Sequence, residues 1–156
     1  MKMTKALKSS AANPPSPAKR QPPGRPVVLL IEDEQVVREF LKPILEQRAH
    51  CRTVEAATRK LALALAEQRK VDVVIYNPAR RGMNGYEFLQ AFKLAHPNIP
   101  VIVHSGMMAG AHEARAYRSG AFRCLSKPAE VELILKVVRE AVEHRMAQKG
   151  RARLTS

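Results

Sequence analysis

The sequence lacks tryptophan altogether, and aromatic residues make up only 4% of its 156 positions. Aliphatic side chains must therefore build any hydrophobic core. A hydrophobic content of 46% at this length is enough for one globular domain with a full core. The two cysteines, Cys51 and Cys124, are too few for a disulfide framework, and no cysteine–histidine spacing resembles a zinc site. Both are interpreted as small apolar core residues.

Long hydrophobic runs are also missing from the sequence. No stretch is long enough to cross a bilayer, and the amino terminus has no apolar core of signal-peptide length. The sequence therefore predicts a cytoplasmic protein. The histidines are scattered, and for each a structural or surface role is expected rather than a ligand role: His50, His96, His104, His112 and His144.

Acidic residues are absent from residues 1–26, which carry six basic residues and six of the eleven prolines. Such a segment buries too little apolar surface to fold, so we expect a disordered basic tail. Residues 147–156 are expected to form a second basic tail, which leaves 27–146 as the folded domain. Weak electrostatic contact of the tails with nucleic acid, acidic protein or a membrane surface is one interpretation. A solubilising extension is the favoured one, because no aromatic residues for base stacking accompany the charges.

Five apolar strand patterns alternate with five helical patterns along 27–146. The strands are expected at 27–31, 51–55, 71–76, 101–103 and 122–125, and the helices at about 34–47, 58–68, 86–95, 110–118 and 129–146. Alternation with short connections predicts an α/β fold, a parallel sheet covered by helices on both faces. Within the first helix, an apolar face is expected, with Pro43 on the other face and bending the helix: Val36, Val37, Phe40, Leu41, Ile44 and Leu45.

Polar residues follow four of the predicted strands at their carboxyl ends. Glu32 and Asp33 follow the first, Asn77 the third, Ser105 the fourth and Lys127 the fifth. Carboxyl ends of parallel strands meet at one edge of a sheet, so these side chains are expected in one crevice. Each position alone is weak evidence of a site, but the four in this order and spacing are specific.

The set resembles the receiver domain of response regulators over residues 27–146. The resemblance implies a flavodoxin-like (βα)5 fold, doubly wound, with strand order 2-1-3-4-5, which places Cys51 and Cys124 at opposite edges. It also implies that Glu32, Asp33 and the Ala79 carbonyl stand at the family's Mg²⁺ ligands, and Ser105 and Lys127 at its phosphoryl contacts. The family's Lys-Pro bond, here Lys127-Pro128, is typically cis, although residue type alone favours trans.

Asn77 stands where this family has its phosphate-accepting aspartate, and further departures surround it. Arg80 and Arg81 replace a usual Met-Pro pair, Pro78 directly follows Asn77, and Cys124 replaces the switch aromatic. A single laboratory substitution would leave the neighbours intact, so we interpret the set as natural degeneration. A neutral amide is a poor nucleophile and a poor ligand for a hard cation.

The expected consequences are no phosphoryl-transfer chemistry, no cofactor, and weak or no Mg²⁺ binding. Arg80 or Arg81 is predicted to pair with the acidic residues in place of the metal, with a solvent-facing position as an equal alternative. Because ten residues follow position 146, the sequence predicts a stand-alone, non-enzymatic pseudo-receiver without an output domain.

This pseudo-receiver would act in two-component or phosphorelay signalling as a phosphorylation-independent binding module. Its partner would be a histidine kinase, a phosphotransfer protein or a transcription component. One alternative is a phosphoacceptor that uses Asp33 or Glu32, which requires a rebuilt in-line geometry. Another is a nucleic-acid binder that uses the tails, although no DNA-reading motif is present. Whether the chain forms a homodimer stays open.

Overall fold

The computed structural model describes residues 24–68, 70–78 and 85–155. The strands are β1 (Val27–Ile31), β2 (Arg52–Ala56), β3 (Val73–Tyr76), β4 (Val101–Ser105) and β5 (Arg123–Ser126). The helices are α1 (Gln35–Pro43), α2 (Arg59–Gln68), α3 (Gly85–Ala95), α4 (Ala111–Arg118) and α5 (Val131–Leu154), with a π-helical turn at Ile44–Arg48 after α1. The element order and types agree with the sequence prediction.

The five strands form one parallel sheet in the order β2-β1-β3-β4-β5. This confirms the predicted (βα)5 fold and strand order. Cys51 directly precedes β2 and Cys124 lies on β5, so they belong to opposite edges, and both are unpaired. Cys51 is buried as expected, whereas Cys124 is only partly buried. The Lys127-Pro128 bond is cis, as the resemblance implied.

The core has two layers because alternate residues of each strand point to opposite faces of the sheet. One layer lies under α1 and α5 and includes Val28, Leu30 and Ile75. The other lies under α2, α3 and α4 and includes Leu29, Val74 and Tyr76. With both faces covered, the central strands are apolar throughout, as their sequences indicated.

The first helix differs from its prediction in register and in shape. Val36 and Phe40, expected to face inward, are 76% and 49% exposed, whereas Leu41 and Leu45 are buried. Because each residue turns a helix by about 100°, the buried stripe begins one residue later than expected. Pro43 lacks an N–H, and at this position the helix widens into the π-helical turn, closed by a bond from Ala49 N to Ile44 O.

The last helix is longer than predicted. It was expected to end near residue 146, with residues 147–156 forming a basic tail, but α5 runs to Leu154. The extension is held to the domain by Lys149, whose Nζ lies 2.5 Å from Oδ1 of the buried Asp72. The other oxygen of Asp72 accepts a 2.8 Å hydrogen bond from Val27 N at the start of β1. A buried carboxylate needs such partners, and the extension of α5 supplies one of them.

None of the helices within the described residues is both long enough and apolar enough to cross a membrane. Most of the predicted amino-terminal tail, residues 1–23, lies outside the described residues, as does the segment 79–84.

Candidate functional site

The carboxyl ends of β1, β3, β4 and β5 bring four of the predicted site residues to one edge of the sheet. Glu32 directly follows β1, Asn77 follows β3, Ser105 ends β4 and Lys127 follows β5. Parallel pairing of these strands aligns their ends, so the crevice predicted from strand-end placement is present.

Glu32 is the centre of this crevice and is almost fully buried, with 4% of its surface exposed. Its Oε1 accepts a hydrogen bond of 3.0 Å from Asn77 Nδ2 and one of 3.1 Å from Glu34 N. Its Oε2 accepts a 2.9 Å bond from Lys127 Nζ. Each oxygen of this buried carboxylate therefore has at least one hydrogen-bond donor, and one of the three donors is charged.

Lys127 supplies the positive charge of this cluster. Its side chain is 18% exposed, and its Nζ also lies 3.5 Å from Oε1 of Glu34, whose side chain is 62% exposed. The single ammonium charge therefore lies between a buried carboxylate, which it bonds closely, and an exposed one that is further away. Arg38 adds a second cation nearby, because its guanidinium donates a 2.7 Å hydrogen bond to the backbone oxygen of Glu32.

Ser105 lies beside this cluster and is only 1% exposed. Its Oγ accepts a 3.2 Å hydrogen bond from Met107 N, and its backbone oxygen accepts a 3.0 Å bond from Lys127 N. The first bond shapes the turn after β4, and the second ties the end of β4 to the residue that follows β5. Ser105 thus positions Lys127 through the backbone.

Asp33 is exposed and borders a small cavity of about 20 Å³ next to Glu32 and Asn77. A cavity of this size holds about one water molecule. In the part of the chain that the structure describes, no group of three or more His, Cys, Asp or Glu side chains is arranged to hold a metal ion. Mg²⁺ prefers several carboxylate or water oxygens, and of the oxygens near this cavity those of Glu32 are bonded to the Lys127 ammonium and the Asn77 amide.

Arg59, at the start of α2, lines the same cavity and was missed by the sequence reasoning. Its guanidinium lies 5.6 Å from the ring centre of Phe88, in the range of a cation–π contact. The sequence did point to Arg59, because this residue follows a predicted strand, β2, and so lies at the same edge of the sheet as Asn77. It was overlooked because Thr58 suggested only a helix cap, a role that it does have through a 3.2 Å bond from Leu61 N.

Tyr76 lines this cavity together with Arg59. Its hydroxyl donates a 2.9 Å hydrogen bond to the backbone oxygen of Gly85, and burial raises the pKa of the phenol to about 12 although the Arg59 charge acts in the opposite direction. A Cβ on Gly85 would lie 2.5 Å from the backbone oxygen of Pro78. Only glycine permits this approach, which brings the two ends of segment 79–84 together.

Cys124, at the predicted switch position, is half-buried on β5. Burial, with a smaller contribution from the charge of Glu113, raises the pKa of its thiol to about 11, although a hydrogen bond with Tyr117 opposes this rise. The thiol is therefore protonated at neutral pH and is not a reactive nucleophile.

Ala79, Arg80 and Arg81 lie outside the described residues. The predicted metal-binding carbonyl of Ala79 and the predicted pairing of either arginine with the acidic residues therefore stay predictions.

A family model for the response regulator receiver domain matches residues 28–139. The chain belongs to this family. Flavodoxin-like receivers are signalling modules of two-component systems, so the expected fold and signalling class are both confirmed. The crevice described above lies at the carboxyl edge of this receiver.

Curated relatives of the receiver are longer proteins. The DNA-binding transcriptional regulator NtrC of Salmonella typhimurium is 32% identical over 128 residues, which cover 80% of this chain and 26% of NtrC. The KDP operon transcriptional regulatory protein KdpE of Escherichia coli is 36% identical over 101 residues, covering 65% of this chain and 44% of KdpE. The chain thus spans about a quarter of NtrC and less than half of KdpE.

Solved receiver structures superpose on most of the chain. The signal receiver domain of an HD domain-containing protein from Pseudomonas fluorescens Pf-5 has a TM-score of 0.72 at 28% identity, covering 79% of this chain and 98% of that one. A CheY-like receiver domain protein from Methanospirillum hungatei JF-1 has a TM-score of 0.72 at 20% identity, covering 80% and 98%, and supports the fold alone.

Proposed function

We propose that this receiver is a degenerate one that works as a phosphorylation-independent binding module in two-component or phosphorelay signalling, without enzymatic activity. The observation that carries the proposal is a hydrogen bond of Asn77, the residue that follows β3. Its Nδ2 donates this bond to the side chain of Glu32. In our proposal, Asn77 occupies the phosphoacceptor position. There it provides a neutral donor where phosphorylation needs a carboxylate nucleophile.

The same hydrogen bond supports metal-independent function. In a phosphorylatable receiver a divalent cation would bridge neighbouring carboxylates, whereas here Asn77 and Lys127 satisfy Glu32 directly. We propose that Mg²⁺ binds weakly at best and that no cofactor is required. Arg59 is a cation beside the acidic residues, and Arg80 or Arg81 remains our proposed second compensation.

The alternative in which Glu32 or Asp33 accepts phosphate is not supported by the geometry. Both oxygens of Glu32 accept hydrogen bonds and the residue is buried, so neither oxygen is available for in-line attack. Asp33 is exposed, but it follows β1 rather than β3, so Lys127 would have to leave Glu32 to serve it.

For the partner we propose a histidine kinase, a phosphotransfer protein or a transcription component, as the names of NtrC and KdpE suggest for the last class. We propose α1 as the binding surface, because Val36 and Phe40 present exposed apolar side chains there. An exposed aromatic side chain that is surrounded by polar residues is typical of a binding hot spot.

The phosphorylation prediction concerns the unmodified chain. Incubation with a small phosphodonor and Mg²⁺, followed by intact-mass measurement, should show no added phosphoryl group, because Asn77 presents no carboxylate. The Asn77→Asp variant is the matched comparison and should gain a partial, hydroxylamine-sensitive phosphoryl group. A labile phosphoryl group on the unmodified chain would overturn the proposal, and peptide mapping to Asp33 or Glu32 would establish the alternative.

The partner prediction concerns α1. Tagged full-length protein should capture a kinase, phosphotransfer or transcription protein from extract of the source cells, identified by mass spectrometry. Phe40→Ser should reduce this capture about tenfold, because a central aromatic side chain typically contributes most of the binding energy. Leu94→Ser, on the 85% exposed Leu94 of α3, is the matched control and should leave capture unchanged. The proposal would be contradicted if both variants lost capture equally, or if nuclease treatment abolished capture by the unmodified chain.

A further inference from the structure

A basic groove lies at the amino edge of the sheet, opposite the crevice. Its volume is about 380 Å³, and its floor is apolar, formed by Ala66, Val71 and Ile99. Five side chains that are basic or can become so surround this floor: Lys70, His96, Arg145, Lys149 and Arg153. A volume of several hundred Å³ with an apolar floor and a polar rim is typical of ligand sites.

The extension of α5 builds one wall of this groove. Arg145, Lys149 and Arg153 follow each other at four-residue spacing, which places them along one face of the helix. The pairing of Lys149 with Asp72 fixes that face against the residue that precedes β3. Among the described residues that line the groove there is no carboxylate, and Asp72, which pairs with Lys149, also accepts the hydrogen bond from Val27 N.

The guanidinium of Arg145 is only partly hydrogen-bonded within the described residues. The Nε atom of Arg145 is buried and has no hydrogen-bond partner there, while its Nη1 makes only a 3.3 Å bond to the backbone oxygen of Asn98. Lys93 lies close by and donates to the backbone oxygens of Pro97 and Ile99. Burial, and then the charge of Arg145, lower the pKa of Lys93, so these two cations repel each other.

We propose that this groove binds phosphate groups, with Arg145 and Lys70 as the principal contacts. Guanidinium groups match phosphate oxygens geometrically, and an anion would satisfy the buried Nε of Arg145 and separate the charges of Arg145 and Lys93. The phosphate could come from a free polyphosphate compound or from the backbone of a nucleic acid.

The test compares two double variants of the full chain with the same change in net charge. Lys70→Gln/Arg145→Gln removes the proposed contacts, and Lys60→Gln/Lys136→Gln removes two exposed lysines elsewhere. Lys149 is left in place because it neutralises the buried Asp72. Binding is measured with pyrophosphate by NMR chemical shifts and with a labelled 20-base-pair DNA duplex by fluorescence anisotropy at two salt concentrations.

Pyrophosphate should shift the backbone amides of Val71, Ile99 and Arg145 in the unmodified chain, which would support a site for free phosphate compounds. If the source is nucleic acid, the first double variant should weaken DNA binding about tenfold. The slope of the logarithm of the binding constant against the logarithm of the salt concentration should become shallower by about two. The control should change the affinity by less than about twofold. The proposal is overturned if pyrophosphate causes no shifts at these amides and the two variants lose DNA binding equally. If the first variant folds poorly, the same amides are followed while the DNA duplex is added to the unmodified chain, and the absence of shifts with both pyrophosphate and DNA overturns the proposal.

Discussion

Replacing Asn77 by aspartate should destabilise the domain by about 2–3 kcal/mol near neutral pH when divalent cations are absent, because like charges meet at a buried site. The substitution puts a carboxylate oxygen where the amide nitrogen now lies, 3.0 Å from Oε1 of the buried Glu32. It also removes one of the three donors that satisfy Glu32. Lys127 compensates only part of the repulsion, since it is already bonded to the other oxygen.

The destabilisation of Asn77→Asp should respond to pH and to metal. Lowering the pH protonates one of the two neighbouring carboxyl groups, so the difference in unfolding free energy from the unmodified chain should shrink as the solution becomes more acidic. Mg²⁺ should restore stability by binding between the carboxylates of the folded state. Denaturant unfolding with EDTA and with excess Mg²⁺ measures both effects.

Asn98→Asp is the matched control for this experiment. Asn98 is exposed and lies near Arg145, so a new negative charge there should leave stability unchanged or raise it slightly. If Asn77→Asp is as stable as Asn98→Asp in EDTA at neutral pH, the amide of Asn77 is not needed to satisfy Glu32, and the basis of the proposed function is removed.

Replacing Lys127 by methionine should cost about 3–5 kcal/mol, the range for removing one partner of a buried ion pair. Glu32 would keep its hydrogen bonds from Asn77 and Glu34 but would lose the only charged group that bonds its side chain among the described residues. Methionine keeps most of the aliphatic length of lysine, so the loss reports on charge more than on packing. Urea unfolding at neutral pH is the measurement.

The double variant Glu32→Gln/Lys127→Met tests the cause of this loss. Removing both charges should recover most of the stability, to within about 1 kcal/mol of the unmodified chain, because no unpaired charge is then buried. Lys136→Met, on an exposed position of α5, is the control and should change stability by less than about 0.5 kcal/mol. A Lys127→Met variant no less stable than this control would show that Glu32 does not depend on the ammonium.

The fold was accessible from the sequence because local patterns and global architecture agree. Apolar runs such as Val27–Ile31 and Val73–Tyr76 are covered on both faces and carry a strong signal. The predictions were wrong where the hydrophobic pattern does not fix the register or the length of a helix. Val36 and Phe40 are apolar yet exposed, which periodicity alone cannot distinguish from burial, and the end of α5 depends on a contact with Asp72 that is distant in sequence.

The crevice was only partly accessible from the sequence. Strand-end placement located Glu32, Asn77, Ser105 and Lys127, because the topology alone brings these positions together. It could not show that Glu32, rather than Asp33, is the buried acid, nor that Lys127 is bonded to it. Those facts depend on side-chain direction, which differs between adjacent residues of a loop and is not encoded in spacing.

The pairing of Lys149 with Asp72 indicates that the folded domain extends further along the chain than the family match does. The family match stops at residue 139, but the carboxylate that holds the first residue of β1 is neutralised from a position two to three helical turns further on. An excised domain trimmed to the family boundary would leave that carboxylate without its cation and would lose the wall of the basic groove. Fusions, truncations and crystallisation fragments of this protein should therefore retain α5 through Leu154.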